Sequence, residues 1–374
     1  MTDAAASASP SASEADQRFM ELALALGRRG LGNTWPNPAV GAVVVKDGVI
    51  LGRGWTQPGG RPHAETEALK RAGRAARGAT LYVTLEPCSH HGKTPPCVDA
   101  IVRAGIVRVV SALDDPNPEV AGNGYAHLRE RAITVDTSIC EAEAARAHAG
   151  HVQRMRDGRP HALLKLAVSS DGKAGAAGRK PVGITGEAAR TLVHMMRAQS
   201  DAIMVGVGTV LADDPHLTCR LPGMMERSPV RVVLDARLRV PLSTSVIATA
   251  REVPTWVVGG TQASQMAEDI LKAKGVEVLR AEAKDGRFDL EAVLKLLGER
   301  GITRLMVEGG PTVAASFAKA GLVDEFALFR SNKVVGVDGI GALEGMALSE
   351  LTDGMKRLSS ETIGADTLER SARL

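Results

Sequence analysis

Apolar residues recur at helical spacing from Glu14 to Arg29, with Phe19, Leu22, Ala23 and Leu26 on one face. The period then changes. Ala39 to Val45 is a short β-branched run, Lys46-Asp47-Gly48 is a turn signal, and Val49 to Trp55 reads as the returning strand. His63 to Arg77 is Ala/Glu/Arg-rich and predicts a helix. Ala79 to Leu85 predicts a strand, Pro96 to Ala104 a helix closed by Gly105, and Ile106 to Ser111 another strand. Asp114-Asp115-Pro116-Asn117-Pro118 predicts a loop, and Glu141 to Arg156 a helical stretch. The breaker cluster Asp157-Gly158-Arg159-Pro160 follows, and the alternation restarts. Strands are predicted over Ala162 to Val168, Ala202 to Val207, Val230 to Leu234, Thr255 to Val258 and Arg304 to Val307. Helices are predicted over Gly186 to Gln199 (Thr185 as N-cap), Glu291 to Glu299 and Thr312 to Ala320. Alternating strands and helices argue for α/β layers in both halves.

A length of 374 residues, at about 100–200 residues per domain, agrees with two domains, and the breaker cluster divides them as 14–156 and 157–374. Residues 1–13 are Ala/Ser-rich, lack a basic segment and an apolar core, and read as a disordered tail rather than a secretory signal. Aromatic residues are only 3% against 44% hydrophobic overall, so the cores must be aliphatic. A net charge of +3 without a clustered Lys/Arg stripe argues against nucleic-acid binding. No 18-residue apolar run is present, which argues against a membrane span. The four cysteines, Cys88, Cys97, Cys140 and Cys219, are too few and too spread for a disulfide scaffold, so a reducing cytoplasm is the expected location.

The sharpest chemical signal is His63-Ala64-Glu65, then Pro87-Cys88, then Cys97. A catalytic zinc takes three protein ligands and keeps one position open; one imidazole and two thiolates supply three. Cys97 falls in the first turn of a predicted helix, whose N-terminal dipole favours a thiolate. Glu65, two residues from His63, is placed to take a proton from water at the metal and pass it to a substrate nitrogen. A structural zinc site would prefer four closed ligands, and His90 or His91 could supply the fourth. A site without metal would leave two of only four cysteines flanking the Ser-His-His-Gly-Lys-Thr-Pro-Pro loop by coincidence.

His-x-Glu with Pro-Cys is the logic of the zinc nucleobase deaminases, but most of those carry Cys-x-x-Cys. Here eight residues separate Cys88 from Cys97. Trp35-Pro36-Asn37-Pro38-Ala39-Val40-Gly41, His63-Ala64-Glu65, Thr84-Leu85-Glu86-Pro87-Cys88-Ser89-His90-His91-Gly92-Lys93-Thr94-Pro95-Pro96-Cys97, Asp115-Pro116-Asn117-Pro118 and Val120-Ala121-Gly122-Asn123-Gly124 resemble the signature of the pyrimidine deaminase of riboflavin biosynthesis. The resemblance implies a cytidine-deaminase-like α/β/α domain in which Asn37, His90 and Lys93 contact substrate. Trp35 stands where that family often has a polar residue, and a packing role is expected for it.

In the second half, Glu308-Gly309-Gly310-Pro311-Thr312 joins a strand to a helix, and its small residues would let a phosphate approach the helix N-terminus. It is not the G-x-G-x-x-G fingerprint. Taken with Leu164-Lys165-Leu166, Ser169-Ser170-Asp171-Gly172-Lys173, Ile184-Thr185-Gly186, Arg197-Ala198-Gln199-Ser200-Asp201-Ala202, Gly208 to Pro215 and Leu217-Thr218-Cys219-Arg220, it resembles the reductase domain of the same bifunctional family. The resemblance implies a dihydrofolate-reductase-like α/β domain that uses NADPH. It places Ala167, Thr209, Asp213, Gly310, Pro311 and Thr312 at the cofactor, and Arg197, Leu217, Arg220 and Glu308 at a ribose phosphate substrate. Lys165 would be a catalytic neighbour.

The chain departs from that pattern at Lys180-Pro181-Val182-Gly183, where the family often shows Ser-x-Trp; Pro181 and Gly183 cannot make those side-chain contacts. The expected enzyme deaminates a diaminopyrimidine ribosyl phosphate and reduces its ribosyl group, with zinc and NADPH. Its partners would be this small phosphorylated substrate and further copies of the chain, with no nucleic acid or membrane. Two alternatives follow from the same residues. One is a deaminase whose second half senses a nucleotide without catalysis. The other is a nucleic-acid-editing deaminase, against which the missing basic and aromatic surface argues.

Overall fold

The computed structural model describes residues 13–92, 94–118, 120–179 and 182–373. Nearly all of the expected N-terminal tail, together with Lys93, Lys180 and Pro181, therefore lies outside the described residues. Two compact units form. The first holds residues up to Gly30 and Asn37–Arg156; the second holds Leu31–Pro36 and Asp157 onward.

The first unit is built on a five-stranded sheet in the order Val49–Trp55, Gly41–Lys46, Thr80–Val83, Arg108–Ser111, Thr134–Asp136. The first two pairings are antiparallel and the last two parallel. The sequence Gly-Ala-Val-Val-Val reads as one apolar run because both faces of its strand are covered. Ala42 and Val44 pack with Ala64, Ala68, Val98 and Ile101 on one side. Val43 and Val45 pack with Met20, Ala23 and Leu24 of helix Glu14–Gly27 on the other. Ser13 caps that helix by accepting the Asp16 N–H at 3.1 Å.

Helix Ala64–Ala72 lies against strand Val49–Trp55 at unusually short range. A Cβ at Gly52 would sit 2.1 Å from the Ala68 carbonyl oxygen, and one at Gly54 would sit 2.2 Å from that of Ala64. Both glycines are therefore required by the approach of the helix backbone, not by a turn. The predicted helix over 63–77 is shorter: the α-helix stops at Ala72, Gly73 takes φ 57°, and residues 73–76 form a 3-10 turn.

The second unit carries a nine-stranded sheet in the order Glu277–Ala281, Thr255–Gly260, Val230–Leu234, Ala202–Gly206, Arg304–Val307, His161–Val168, Glu325–Arg330, Asp366–Ala372, Lys356–Ile363. The first seven strands are parallel, and the last two form an antiparallel hairpin on Glu325–Arg330. Helices cover both faces, as a parallel sheet requires. Met204, Val232 and Val258 face one core; Ile203, Val233 and Val257 face another. Trp35 packs edge-on against Trp256 at 6.5 Å between ring centroids, which is the packing role expected of it.

Several predicted boundaries differ. Helix Glu187–Ala198 has Gly186 as N-cap, not Thr185; the Gly186 N–H is instead taken by the Asp366 carboxylate at 2.7 Å, from a strand distant in sequence. The helical stretch 141–156 is two helices, Glu141–Ala147 and Ala149–Asp157, broken at His148. Val207 opens a helix, Val207–Asp213, rather than closing the preceding strand. The sequence pattern does not predict the terminal hairpin, because Lys356–Ile363 is largely polar and exposed and has no buried face.

A buried carboxylate ties the first helix to the sheet. Asp16 accepts the Tyr82 hydroxyl at 2.7 Å and both terminal nitrogens of Arg108 at 2.8 and 3.0 Å. Hydrogen bonding from Arg108, then from Tyr82, holds the Asp16 carboxyl far below the usual carboxylate range. Its folded-state pKa lies below its unfolded value, so its stabilising contribution is present at neutral pH and is lost as the solution is acidified below about pH 4. Asp16→Ala should cost about 2–3 kcal/mol at pH 7, the scale of charge-assisted hydrogen bonds lost beside a partly exposed Arg108. Urea unfolding of the variant and the unsubstituted chain should show that difference shrinking toward pH 3.

Candidate functional site

Three chain segments bring their donors together in the first unit. His63 is the N-cap of helix Ala64–Ala72. Cys88 follows strand Thr80–Val83 after an irregular stretch that ends at Pro87. Cys97 opens helix Cys97–Ala104, whose N-cap is Pro96 and whose C-terminus is closed by Gly105 in the left-handed region. The ligating atoms of His63, Cys88 and Cys97 all lie within 4.8 Å of one another. His63 Nδ1 is 3.3 Å from Cys97 Sγ and 3.7 Å from Cys88 Sγ, and the Cys97 N–H donates to Cys88 Sγ at 3.3 Å.

The electrostatics of this cluster suit a cation. Hydrogen bonding from Cys97, with His63, brings the Cys88 thiol down to about 4, against the effect of burial. Cys97 moves the other way, because it donates to Cys88 and is buried. Burial opposes a charge on His63, yet contact with Cys88 and the charge of Glu65 raise it above the usual histidine value. The donors thus balance a proton on His63 against a thiolate. A divalent ion can replace that proton and the second thiol's, so the residues present fit zinc. Glu65, 4% exposed in the first turn of its helix, is raised by burial, opposed by His63. Among the described residues no fourth donor joins the group, and His90 and His91 are exposed. The closed four-ligand alternative therefore has no support in this geometry.

Asn37 is half-buried and donates from Nδ2 to the Gly60 carbonyl at 2.8 Å. Gly60 has φ 84°, and a Cβ there would strike the Asn37 side chain at 2.7 Å, so glycine leaves room for the amide. His90 sits on the exposed loop between the cysteines. Lys93, expected beside it, lies outside the described residues. Arg61, which the sequence reading passed over, reaches this loop by donating to the Thr94 hydroxyl.

In the second unit a charge cluster forms around Glu308, which follows the C-terminal end of the central strand Arg304–Val307, the end at which open α/β sheets bind ligands. Arg197 grips Glu308 through Nε and Nη2 at 2.8 and 2.9 Å and donates from Nη1 to the Thr218 carbonyl at 3.1 Å. Burial would raise Glu308, but Arg197, with help from Lys165, brings it down to about 2. Lys165 is lowered by burial, and its Nζ lies 5.8 Å from the Phe329 ring centroid. Arg197 and Glu308 are thus partners first; three of the five guanidinium N–H groups are engaged before any ligand arrives. Arg220 is exposed, and its backbone N–H donates to His194 Nδ1 at 3.3 Å. Leu217 takes φ 54° and buries its side chain in the core, so only its backbone faces outward.

The expected cofactor residues occupy a neighbouring turn. The Gly310 N–H donates to Thr209 Oγ1 at 3.1 Å, joining helix Val207–Asp213 to the N-terminus of helix Pro311–Lys319. Thr312 donates its hydroxyl to Glu344, a carboxylate the sequence reading did not place there. Ala167 is half-buried on strand His161–Val168, opposite Phe329. Asp213 is exposed at the end of its helix, and Asp214 takes the left-handed cap and accepts from Ser245. Gly183 is exposed, and its carbonyl accepts Lys333 Nζ at 2.5 Å.

Comparison with known proteins covers both units. The family described as "Cytidine and deoxycytidylate deaminase zinc-binding region" matches residues 13–113, and that described as "RibD C-terminal domain" matches residues 160–368. A protein of Aquifex aeolicus named "Riboflavin biosynthesis protein RibD" is 45% identical over 338 residues, covering 90% of this chain and 91% of its own. The solved structure of Acinetobacter baumannii RibD, form 1, superposes with a TM-score of 0.85 at 36% identity, covering 96% of this chain and 99% of its own. A Thermotoga maritima diaminohydroxyphosphoribosylaminopyrimidine deaminase/5-amino-6-(5-phosphoribosylamino)uracil reductase superposes with a TM-score of 0.83 at 35% identity, again covering 96% and 99%. No helix among the described residues is long and apolar enough to cross a membrane.

The Arg197–Glu308 pair generates a prediction independent of any ligand. Arg197→Met should destabilise the chain by about 3–5 kcal/mol, because it leaves a buried carboxylate without its partner. Adding Glu308→Leu should restore at least about half of that loss, since the unpaired charge is then gone. A double-mutant cycle by denaturant unfolding measures the coupling.

Proposed function

The chain belongs to the bifunctional deaminase–reductase family of riboflavin biosynthesis, and we propose that His63, Cys88 and Cys97 hold its catalytic zinc while Glu65 moves the protons of deamination. The enzyme removes the 2-amino group of 2,5-diamino-6-ribosylamino-4(3H)-pyrimidinone 5′-phosphate as ammonia, then uses NADPH to reduce the ribosyl group to ribityl. The observation that carries the residue assignment is the convergence of one imidazole and two sulfurs with a buried glutamate beside them.

Zinc, when bound, supplies a Lewis acid that makes water acidic enough to deprotonate near neutral pH. The protein's own work is proton handling and placement. Glu65, raised by burial, accepts the proton of the attacking water and returns it to the departing amino nitrogen. Asn37, held by Gly60, is assigned to contact the pyrimidine. His90 and Lys93, on the loop between the cysteines, contact the same substrate.

NADPH, when bound, supplies the hydride that goes to C1′ of the ribosyl group. We assign its site to Ala167, Thr209, Asp213 and the turn Gly310-Pro311-Thr312. Lys165, destabilised as a cation by burial, can give up a proton as the ribosyl carbon is reduced. Glu308 and the backbone at Leu217 border the same substrate, and Arg197 orients Glu308. Arg220 carries the charge best placed for the phosphate, because its guanidinium is exposed while that of Arg197 is already paired. The deaminase domain is assigned to 14–156 and the reductase domain to 157–374, and four free cysteines fit a cytoplasmic location.

Glu65→Gln should keep zinc near one per chain while deamination falls at least about a hundredfold, the low end for losing a general acid–base. Cys97→Ala should lose both. Metal analysis beside ammonia release separates the two; zinc lost in Glu65→Gln would make Glu65 a ligand.

Arg220→Ala should raise KM for the deaminated phosphate in NADPH-dependent reduction by about tenfold or more, equivalent to about 1.5–3 kcal/mol for a charged hydrogen bond. Arg220→Lys should recover only part of it, for want of the planar fork. Steady-state NADPH oxidation measures both, and an unchanged KM would move the phosphate elsewhere.

A further inference from the structure

We infer that Glu86 and His151 are positioning residues for deamination, clamping the loop from Asp115 to Asn123 against the turn that carries Cys88. The inference rests on the deaminase site assigned above.

Glu86 lies two residues before Cys88 and is 3% exposed. One carboxylate oxygen accepts the backbone N–H of Asp115 at 3.4 Å and of Gly122 at 3.0 Å. The other accepts those of Gly124 at 2.9 Å and Tyr125 at 3.4 Å. A single side chain therefore holds the entry and the exit of the loop. The exit also lies directly against the Cys88 turn: a Cβ at Gly124 would stand 2.2 Å from the Pro87 carbonyl oxygen. Asp115 and Val120 are buried, whereas Pro118 and Ala121 to Asn123 are exposed. An ordinary surface loop does not need a buried acid at its base. Here the acid is tolerated because the loop fills its lone pairs, and the loop can fill them only in this conformation.

A second clamp comes from helix Ala149–Asp157, beyond the stretch that matches the deaminase family. His151 Nε2 meets Asp115 Oδ1 at 2.9 Å, with both residues 8% exposed. The same oxygen accepts the Asn117 N–H at 2.9 Å, which sets the first bend of the loop. Three residues earlier, His148 meets Thr84 Oγ1 at 3.0 Å, and that oxygen accepts the Gly41 N–H at 3.1 Å. His148, at the break before the helix, thus braces the strand end before Cys88, and the helix itself, through His151, braces the loop beside it. Neither Glu86 nor His151 belongs to the converging His63, Cys88 and Cys97 donors. Their effect on the reaction is exerted through the loop, whose exit lies against the Cys88 turn, and the inference assigns that effect to substrate affinity rather than to proton transfer.

The test uses the full chain loaded with zinc and the diaminopyrimidine phosphate as substrate. His151→Ala should raise KM for deamination about tenfold, keep kcat within about threefold, and keep zinc near one per chain. His151→Gln, whose amide can still reach Asp115, should recover most of the KM. Backbone hydrogen exchange over residues 115–124 should accelerate in His151→Ala and slow again in His151→Gln. A zinc-loaded His151→Ala with unchanged KM overturns the inference. So does a joint fall of kcat and zinc, or faster exchange across the whole unit, since either means general support. If His151→Ala does not fold, Glu86→Gln is read by the same KM-against-kcat split, with the same outcomes deciding. Absence of zinc-dependent ammonia release from the unsubstituted chain would instead overturn the deaminase site itself.

Discussion

The close approach of helix Ala64–Ala72 to strand Val49–Trp55 is the constraint from which the metal-binding geometry follows. Any side chain at Gly52 or Gly54 would collide with helix carbonyls, so the helix would have to lift away from the sheet. Lifting it would carry off His63 and Glu65, which sit at its N-terminus, while Cys88 and Cys97 are fixed by other elements. Three donors within 4.8 Å leave little tolerance for such a shift. Two glycines that make no contact with a metal therefore decide whether the donors meet. The hydrophobic core on that face is correspondingly rich in small residues, with Ala64, Ala68 and Ala72 lining the helix.

The second unit solves a different problem, the burial of charge. Lys165 in strand His161–Val168, Arg197 at the end of helix Glu187–Ala198 and Glu308 just after strand Arg304–Val307 interact electrostatically, and a lone charge among them would be costly. Bidentate pairing of Arg197 with Glu308 neutralises most of it and fixes the carboxylate's direction. Burial lowers Lys165, and the charge of Glu308 opposes that shift. The arrangement separates the arginines by role. Arg197 is spent largely within the protein, whereas Arg220 stands exposed on a segment steadied by His194.

Much of this was legible in the sequence where the signal is local. The switch from helical to strand spacing placed the strands around Cys88, and Pro96 and Gly105 marked both ends of the helix opened by Cys97. The Asp157–Pro160 breaker fell where the second unit's main chain begins. What sequence spacing could not show is partnership across long separations. Asp366 caps a helix at Gly186, so the local rule pointed to Thr185 instead. Glu344 meets Thr312, and Arg197 meets Glu308, through the fold alone. The terminal hairpin was hidden because its outer strand is polar on both faces. Leu31–Pro36, embedded in the first half of the sequence, groups with the second unit, a placement no periodicity encodes.

Two buried glutamates lie near the same cysteine turn in contrasting surroundings. Burial raises both. Around Glu86 four backbone N–H groups answer that burial and occupy both oxygens, so the carboxylate is committed to holding its loop. Around Glu65 the neighbours are His63, Cys88 and Cys97, groups that themselves exchange protons. A carboxylate locked by amides cannot change protonation without releasing the backbone it organises. One set among titrating side chains can do so with the scaffold unmoved. Residue type and burial are the same in the two cases, and the supply of amide donors is what separates the carboxylate fixed by backbone from the one set among titrating side chains.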